Sequence, residues 1–185
     1  MKKNVIIISA SPRKGGNSDL LCDRVLEGAK EAGHKAEKIT LRDRKINYCL
    51  ACDHCKKNGG TCIQKDDAAA VLEKMIAADV LVLATPVYFY TMNAQMKALI
   101  DRTYATYPDM GTKDVYIVLA AADAAKDAME RTIEGFRGFF SCYSGFTEKG
   151  IIYGTGAWNI GDIEKSPAMK EAFELGKNLG GVSLR

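Results

Sequence analysis

The chain has 185 residues, of which 47% are hydrophobic and 26% charged, and its formal net charge is +3. This length fits one ordinary domain, so we expect a single domain over residues 1–185 that needs no disulfide bonds. No apolar run approaches the ~20 residues of a membrane span, and the first residues lack a signal-peptide core, so we expect a cytoplasmic protein without a membrane partner. The mild charge, without basic residues interleaved with aromatic ones, argues against nucleic acid as a partner.

Short β-branched segments alternate with longer segments of helical periodicity along the whole chain. The predicted strands are residues 4–10, 36–41, 80–84, 115–121 and 150–153, and the predicted helices begin at residues 17, 66, 93, 125 and 167. The first helix ends at Gly33 and the last near Leu179. Five alternations of strand and helix predict a parallel sheet that is covered by helices on both faces.

Two loops of this predicted sheet have unusual compositions, and they follow the first and the third strand. Parallel sheets bind ligands at the carboxyl ends of their strands, where the strand order reverses. The order 2-1-3-4-5 places these two strands side by side, whereas a Rossmann order separates them and normally adds a sixth strand. We therefore predict a flavodoxin-like three-layer α/β sandwich with a five-stranded parallel sheet of order 2-1-3-4-5.

The loop after the first strand, residues 9–18, is rich in hydrogen-bond donors and leads into a helix. A helix N-terminus offers free N–H groups and a partial positive charge, which suits a phosphate. Gly15 and Gly16 permit the positive φ values that turn successive N–H groups inward. Neither a Walker A motif nor a dinucleotide fingerprint is present, so we expect no dedicated nicotinamide domain. A plain capped turn is the alternative.

The loop after the third strand, residues 85–93, contains three consecutive aromatic residues, Tyr88, Phe89 and Tyr90. Three neighbouring aromatic side chains at the edge of a parallel sheet cannot all point into the core. A flat ring system such as isoalloxazine would stack against them. A subunit interface is the alternative, and it is compatible with a flavin near a dimer contact.

Residues 9–18, 85–89, 97–102 and 153–157 together resemble the NADPH-dependent FMN reductase family. The resemblance spans essentially the whole chain and implies a noncovalently bound FMN and a homodimer or homotetramer. It also implies phosphate contacts from Ser9, Ser11, Arg13, Asn17 and Ser18, ring contacts from Pro86, Val87, Tyr88 and Phe89, and a border to the ring from Ala122 and Asp123.

Four of the six cysteines, Cys49, Cys52, Cys55 and Cys62, lie in a loop at residues 48–65 that is inserted after the second strand. Thiolates at this spacing suit an iron–sulfur cluster or one tetrahedral ion, although structural zinc more commonly uses two separated C-x2-C pairs. A 4Fe–4S cluster, zinc and no metal all stay open on spacing alone. The quartet resembles that of the iron–sulfur flavoproteins, a branch of the same family, which implies a 4Fe–4S cluster that passes electrons to FMN. We expect the other two, Cys22 and Cys142, to be core thiols.

The resemblance implies an oxidoreductase that takes electrons from NAD(P)H through FMN to a small acceptor: a flavin, a quinone, a nitro compound or a metal ion. Because the chemistry belongs to the flavin, no catalytic side chain is predicted. The alternative is an electron carrier that ferredoxin reduces through a cluster on the quartet. A thiol or zinc redox sensor would leave the donor-rich first loop unexplained.

Overall fold

A computed structural model of the chain describes residues 1–181, and within them a sheet of six strands forms the middle layer. The strands are β1 (Asn4–Ser9), β2 (Lys35–Thr40), β3 (Val80–Tyr88), β4 (Thr91–Met92), β5 (Lys113–Ala120) and β6 (Phe146–Gly154). Five of them run parallel in the order β2-β1-β3-β5-β6, and β4 pairs with β3 in the antiparallel direction. The predicted flavodoxin-like fold and strand order are confirmed, and the two-residue strand β4 is an addition to the predicted five.

Helices cover both faces of the sheet. They are α1 (Asn17–Glu31), α2 (His54–Lys57), α3 (Ala68–Ala77), α4 (Ala94–Arg102), α5 (Glu130–Ser141) and α6 (Ala168–Lys177). Alternate strand residues supply two separate apolar cores, one beneath α1 and α6 and one beneath α3, α4 and α5. No helix in the described part of the chain combines the length and the apolar character that a membrane span requires.

Helices α1 and α6 approach each other so closely that their backbones touch. A Cβ atom built on Gly28 of α1 would lie 2.1 Å from the carbonyl oxygen of Phe173, and one built on Gly176 of α6 would lie 2.2 Å from that of Val25. Only glycine permits such an approach. This contact fixes α1, and therefore also the loop at its N-terminus, against the rest of the molecule.

Two strands are longer than their sequence patterns indicate. β3 continues through Thr85 and Pro86 to Tyr88, because Pro86 pairs in register with Ala120 of β5, and Tyr88 pairs with Thr91 of β4. β6 begins at Phe146, since its first residues pair with β5 before a bulge. The charged residues on this edge strand hide its periodicity in the sequence.

The carboxyl ends of β1, β3, β5 and β6 meet at one edge of the sheet. Ser9 at the end of β1 pairs with Ala84 of β3, and Ala120 at the end of β5 pairs with Gly154 at the end of β6. The loops that leave these strands are therefore neighbours, as the strand order requires. They enclose the candidate site.

Candidate functional site

A cavity of about 530 Å³ opens at the carboxyl edge of the sheet, a size typical of small-molecule and cofactor sites. It is lined by Ser11, Arg13, Asn17, Ser18, Pro86, Val87, Tyr88, Phe89, Ala120, Ala122, Ala157 and Trp158. All the residues predicted to contact a cofactor therefore line one cavity, except Ser9 and Asp123. The loops after β1 and β3 meet there as predicted.

The loop between β1 and α1 presents the uncapped start of a helix to this cavity. Gly16 occupies the N-cap of α1 and has no side chain to bond the first-turn amides. Ser18, in that first turn, has a buried hydroxyl oxygen that no group in the described part of the chain contacts by a hydrogen bond. A buried polar group without a partner is costly, and the positive end of a helix attracts anions. This end of the cavity therefore suits a phosphate.

The tight path of the loop depends on its glycines. Gly15 has φ +64°, in the left-handed region, and a Cβ atom on Gly16 would lie 2.4 Å from the hydroxyl oxygen of Ser11. That hydroxyl accepts a hydrogen bond from the Arg13 amide at 3.2 Å and donates one to the Arg13 carbonyl at 2.9 Å. Any side chain at position 16 would open this turn.

Asn17 fastens the loop to a second segment, residues 157–163. Its side-chain amide donates to the carbonyls of Ala157 at 3.1 Å and Asn159 at 2.8 Å, and its oxygen accepts from the Ile163 amide at 3.4 Å. One guanidinium nitrogen of Arg13 donates to the Trp158 carbonyl at 3.2 Å. Asn17 is thus engaged within the protein, whereas Arg13 keeps further donors and its charge.

Ser9 supports the loop from below and does not line the cavity. It is fully buried at the end of β1, and its hydroxyl donates to Asp19 at 2.8 Å. Asp19 also accepts bonds from the Gly15 amide, from Lys38 and from Arg42. Burial alone would raise the pKa of Asp19, but the hydrogen bonds from Ser9, Lys38 and Arg42 hold this pKa below its usual value. The Ser9 hydroxyl is therefore bonded to Asp19 in this structure, and its predicted phosphate contact stays a prediction.

The opposite wall is the end of β3, which is tied to the first loop by Asn93. The side-chain amide of Asn93 donates to the Ala10 carbonyl at 2.6 Å, and its oxygen caps α4 by accepting from the Met96 amide at 3.2 Å. The Asn93 backbone amide donates to the hydroxyl of Thr85 at 3.1 Å. These bonds hold the apolar wall formed by residues 86–89 next to the donor-lined loop.

The turn between β3 and β4 is strained and carries exposed aromatic rings. Phe89 and Tyr90 have φ values of 48° and 63°, as in the type I′ turns that normally contain Asn-Gly. Left-handed backbone costs about 1–2 kcal/mol for each ordinary residue. Phe89 is 101% exposed, so packing does not offset that cost. Strain of this kind gathers at functional sites, and this turn lies at the mouth of the cavity.

The remaining wall contains Trp158, which was not among the predicted site residues. Trp158 lines the cavity and is 72% exposed, but it lies in a glycine-rich segment without periodicity. Ala122 lines the cavity, whereas Asp123 supports the wall: its carboxylate accepts from the Ala125 amide, and its carbonyl accepts from the Gly156 amide. The chain's single Trp follows directly after residues 153–157, a segment that resembles the family, and this position could have indicated a site residue.

The cysteine quartet lies around a second cavity that shares no lining residue with the first. Cys49, Cys52, Cys55 and Cys62 all line it, and none of them forms a disulfide. The Ala51 amide donates to the Cys49 sulfur at 3.4 Å. Among residues 1–181, no three His, Cys, Asp or Glu side chains converge on a single metal position. Four cysteine thiols are the donor set of an iron–sulfur cluster, although these four do not converge in the described part of the chain.

The two other cysteines differ from each other in exposure. Cys22 is fully buried in α1, as predicted, and burial raises the pKa of its thiol. Cys142 is exposed at the C-terminal end of α5, so the expectation of a core thiol there was wrong. Its sulfur lies 3.5 Å from the Gly138 carbonyl of the last helical turn.

A family model of the NADPH-dependent FMN reductases matches residues 3–158 of the chain. The chain belongs to this family. It is 36% identical over 141 residues to an iron–sulfur flavoprotein of Methanocaldococcus jannaschii, covering 76% of this chain and 72% of that protein. It is 30% identical over 181 residues to an iron–sulfur flavoprotein of Archaeoglobus fulgidus, covering 93% of this chain and 76% of that one.

Solved structures share the fold of this FMN reductase family member. The NAD(P)H:quinone oxidoreductase of Methanothermobacter marburgensis superimposes with a TM-score of 0.76 at 19% identity, over 97% of both chains. An azoreductase of Bacillus anthracis superimposes with a TM-score of 0.71 at 18% identity, over 96% of this chain and 99% of that one. The residues of the first cavity fit the flavin that the family name implies, because the unpaired Ser18 hydroxyl and the uncapped helix start offer donors to a phosphate.

Proposed function

We propose that this chain is an oxidoreductase that holds FMN in the first cavity, with the phosphate at the N-terminus of α1 and the ring against the end of β3. One observation carries the proposal. The Ser18 hydroxyl is buried and unpaired among the described residues, beside a helix start that has no side-chain cap. This combination supplies both a donor and a favourable field for an anion.

The side chains around the cavity bind and orient the cofactor. Arg13 is the charged residue among those that line the cavity, and its guanidinium offsets the phosphate charge. Asp19 lies behind the loop, and its charge is compensated by Lys38 and Arg42, so it does not repel an anion. Pro86, Val87 and Phe89 offer an apolar surface to the ring. Bound FMN itself supplies the hydride and one-electron chemistry.

We further propose that NAD(P)H donates the electrons and that a small acceptor receives them: a flavin, a quinone, a nitro compound or a metal ion. The family to which the chain belongs supports the nicotinamide donor. The test is anaerobic stopped-flow mixing of the FMN-loaded chain with NADH or NADPH. The proposal requires that at least one of them bleaches the flavin absorbance in a saturable reaction. Failure of both would refute it.

A second candidate function is that of an iron–sulfur electron carrier that ferredoxin reduces through a 4Fe–4S cluster on the quartet. Two observations favour it: the four cysteines line one cavity, and the relatives from M. jannaschii and A. fulgidus are named iron–sulfur flavoproteins. Iron and sulfide analysis after anaerobic purification tests this candidate. About four of each per chain are required for one such cluster, and a chain without iron would eliminate it.

The single domain, the cytoplasmic location and the homodimer or homotetramer stay predictions. A groove of about 1,210 Å³ between α4, α5 and the cysteine loop is lined by Tyr104, Tyr107, Phe139 and Tyr143. Its aromatic lining supports a subunit contact, because aromatic residues are enriched in interfaces. Sedimentation of the FMN-loaded chain measures the number of subunits.

A further inference from the structure

Arg102, the last residue of α4, makes a buried ion pair beneath the cysteine loop. Its side chain is 2% exposed and that of its partner Asp66 is 0% exposed. The two guanidinium nitrogens donate to the two carboxylate oxygens, Nη1 to Oδ2 at 2.6 Å and Nη2 to Oδ1 at 3.1 Å. Such bidentate geometry is specific to arginine. A buried pair of this kind needs further hydrogen bonds to offset the loss of water.

The additional bonds of this pair all reach the two ends of the loop that carries the quartet. Arg102 Nη1 donates to the carbonyl of Asn47 at 3.0 Å, and Nη2 donates to the sulfur of Cys62 at 3.3 Å. Asp66 accepts from the backbone amides of Asn47 at 2.9 Å and Ala68 at 3.1 Å. One ion pair therefore joins the residue before the loop, the residues after it and one of its four cysteines.

The position of the Cys62 sulfur depends on the contact with Arg102 more than the positions of the other three sulfurs do. Cys49, Cys52 and Cys55 follow one another at intervals of three residues, and the backbone between them is left-handed at Ala51 and Asp53. Cys62 comes seven residues after Cys55, beyond Gly59 and Gly60, which permit many conformations. Spacing alone does not place its sulfur.

The segment after α4 also holds the other half of the loop. The Tyr104 hydroxyl donates to the carboxylate of Asp53 at 2.8 Å, and the Lys56 ammonium lies 4.7 Å from the centre of the Tyr104 ring. Arg102 and Tyr104 thus contact the loop on both sides of its glycines. This arrangement leaves Cys62 as the cysteine that Arg102 holds.

We infer that Arg102 is the positioning residue of the cysteine quartet, which fixes the sulfur of Cys62 and joins the two ends of the loop at residues 48–65. The inference rests on the iron–sulfur alternative under the proposed function. Hydrogen bonds and positive charge at a ligating sulfur raise the reduction potential of an iron–sulfur cluster. A cluster held by these cysteines would therefore have a lower reduction potential without Arg102, in addition to lying in a less stable loop.

The experiment uses the full chain, purified without oxygen, and compares it with the double variant Arg102→Gln/Asp66→Asn. The double change leaves neither buried charge unpaired. The matched control is Arg137→Gln/Glu148→Gln, which removes another bidentate pair, with N–O distances of 2.9 Å, that is partly exposed and distant from the quartet in sequence. Iron content, the potential of the cluster, amide hydrogen exchange of residues 48–65 and FMN content are measured on each.

We expect the Arg102 double variant to keep its FMN. Its loop amides should exchange at least about tenfold faster, which corresponds to ~1.4 kcal/mol. The reduction potential of the cluster, or the iron content of the chain, should fall. The control should match the unchanged chain. If the double variant loses FMN as well, the same measurements are made on Arg102→Lys, which keeps the positive charge but cannot form the bidentate contact with Asp66. An unchanged potential together with unchanged exchange would overturn the inference. An unchanged chain without iron would refute the cluster alternative instead, and the exchange alone would then decide the role of Arg102.

Discussion

Polar residues at the end of β1 and at the start of α1 have different roles, although the sequence presents them as one set of donors. The side-chain amide of Asn17 donates hydrogen bonds to the segment 157–163, and the Ser9 hydroxyl donates one to Asp19, so both residues hold the loop in place. Ser18 is left with a buried hydroxyl and no partner in the described residues. Residue type therefore indicates which loop forms the site, whereas the contacts decide which of its side chains are already engaged within the protein.

Ser18→Ala tests the direct contact. A hydrogen bond to a charged group contributes about 1.5–3 kcal/mol, so we expect the dissociation constant for FMN to rise roughly 10- to 100-fold. Quenching of FMN fluorescence on titration measures it. Ser141→Ala is the control, because Ser141 is exposed on α5 and its hydroxyl donates to the Gly138 carbonyl of its own helix. An FMN affinity within about twofold of the unchanged chain would contradict the assignment.

Asp19→Asn tests the charge network beneath the loop. Breaking a buried ion pair typically costs 3–5 kcal/mol, and because Lys38 and Arg42 are partly exposed, we expect a loss of about 2–3 kcal/mol in the free energy of unfolding at pH 6. The pKa of Asp19 is lower in the folded chain than the 3.8 of an unperturbed aspartate. Its contribution is therefore complete above that value and is lost as the pH falls through the lower folded pKa.

Urea unfolding at a series of pH values measures this difference. The gap in stability between the unchanged chain and Asp19→Asn should be largest near pH 6 and should shrink below about pH 4. Glu27→Gln, which removes an exposed pair with Arg24 on the same helix, should change stability by at most about 0.5 kcal/mol. A gap that stays constant down to pH 3 would show that Asp19 is not the group responsible.

At the scale of the element, long apolar segments were predicted well and short irregular ones were not. The buried runs of β1, β3 and β5 stand out because parallel strands covered on both faces are continuously hydrophobic. The helical turn α2 and strand β4 are four and two residues long, too short for any periodicity. β4 forms only because a two-residue turn folds the end of β3 back on itself. This turn was not predictable, because Phe89 and Tyr90 stand where Asn-Gly is usual.

That turn provides a prediction in which stability and binding move in opposite directions. Phe89→Asn/Tyr90→Gly places the preferred residues of a type I′ turn at the two left-handed positions. We expect the free energy of unfolding to rise by about 1–2 kcal/mol, which is less than the full strain of two residues because asparagine relieves only part of it and glycine loses more backbone entropy on folding. The loss of the Phe89 ring from the cavity wall should at the same time weaken FMN binding. Urea unfolding of the flavin-free chain and FMN titration measure the two effects.

Gly138→Ala is the control that changes the free energy of unfolding without changing the cavity. Gly138 is exposed inside α5, and an added Cβ atom meets nothing within 4 Å, so alanine should stabilise the helix by about 0.5–1 kcal/mol without any change in FMN affinity. A turn variant that is less stable than the unchanged chain would mean that Phe89 and Tyr90 are not strained. A turn variant with unaltered affinity would remove Phe89 from the flavin site.

At the scale of the whole molecule, the strand order brings the two specialised loops together, and this much was predictable from the sequence. Contacts between distant parts of the chain were not. Trp158 reaches the cavity from a segment without periodicity, and Cys62 meets Arg102 across 40 positions of the sequence. Only the packing of the helices on the sheet decides such pairs. The positions of the loops could thus be predicted, but their supporting bonds required the structure.

The central claim is that an anion at the start of α1 anchors a flavin in the cavity, and the most direct measurement compares FMN with riboflavin, which lacks the phosphate. Titration of the flavin-free chain with each, followed by fluorescence or calorimetry, gives the two dissociation constants. We expect one FMN per chain and riboflavin binding weaker by at least about 100-fold, since several charge-assisted bonds of about 1.5–3 kcal/mol each are lost. Equal affinities for the two flavins, or no retention of FMN at all, would contradict the account.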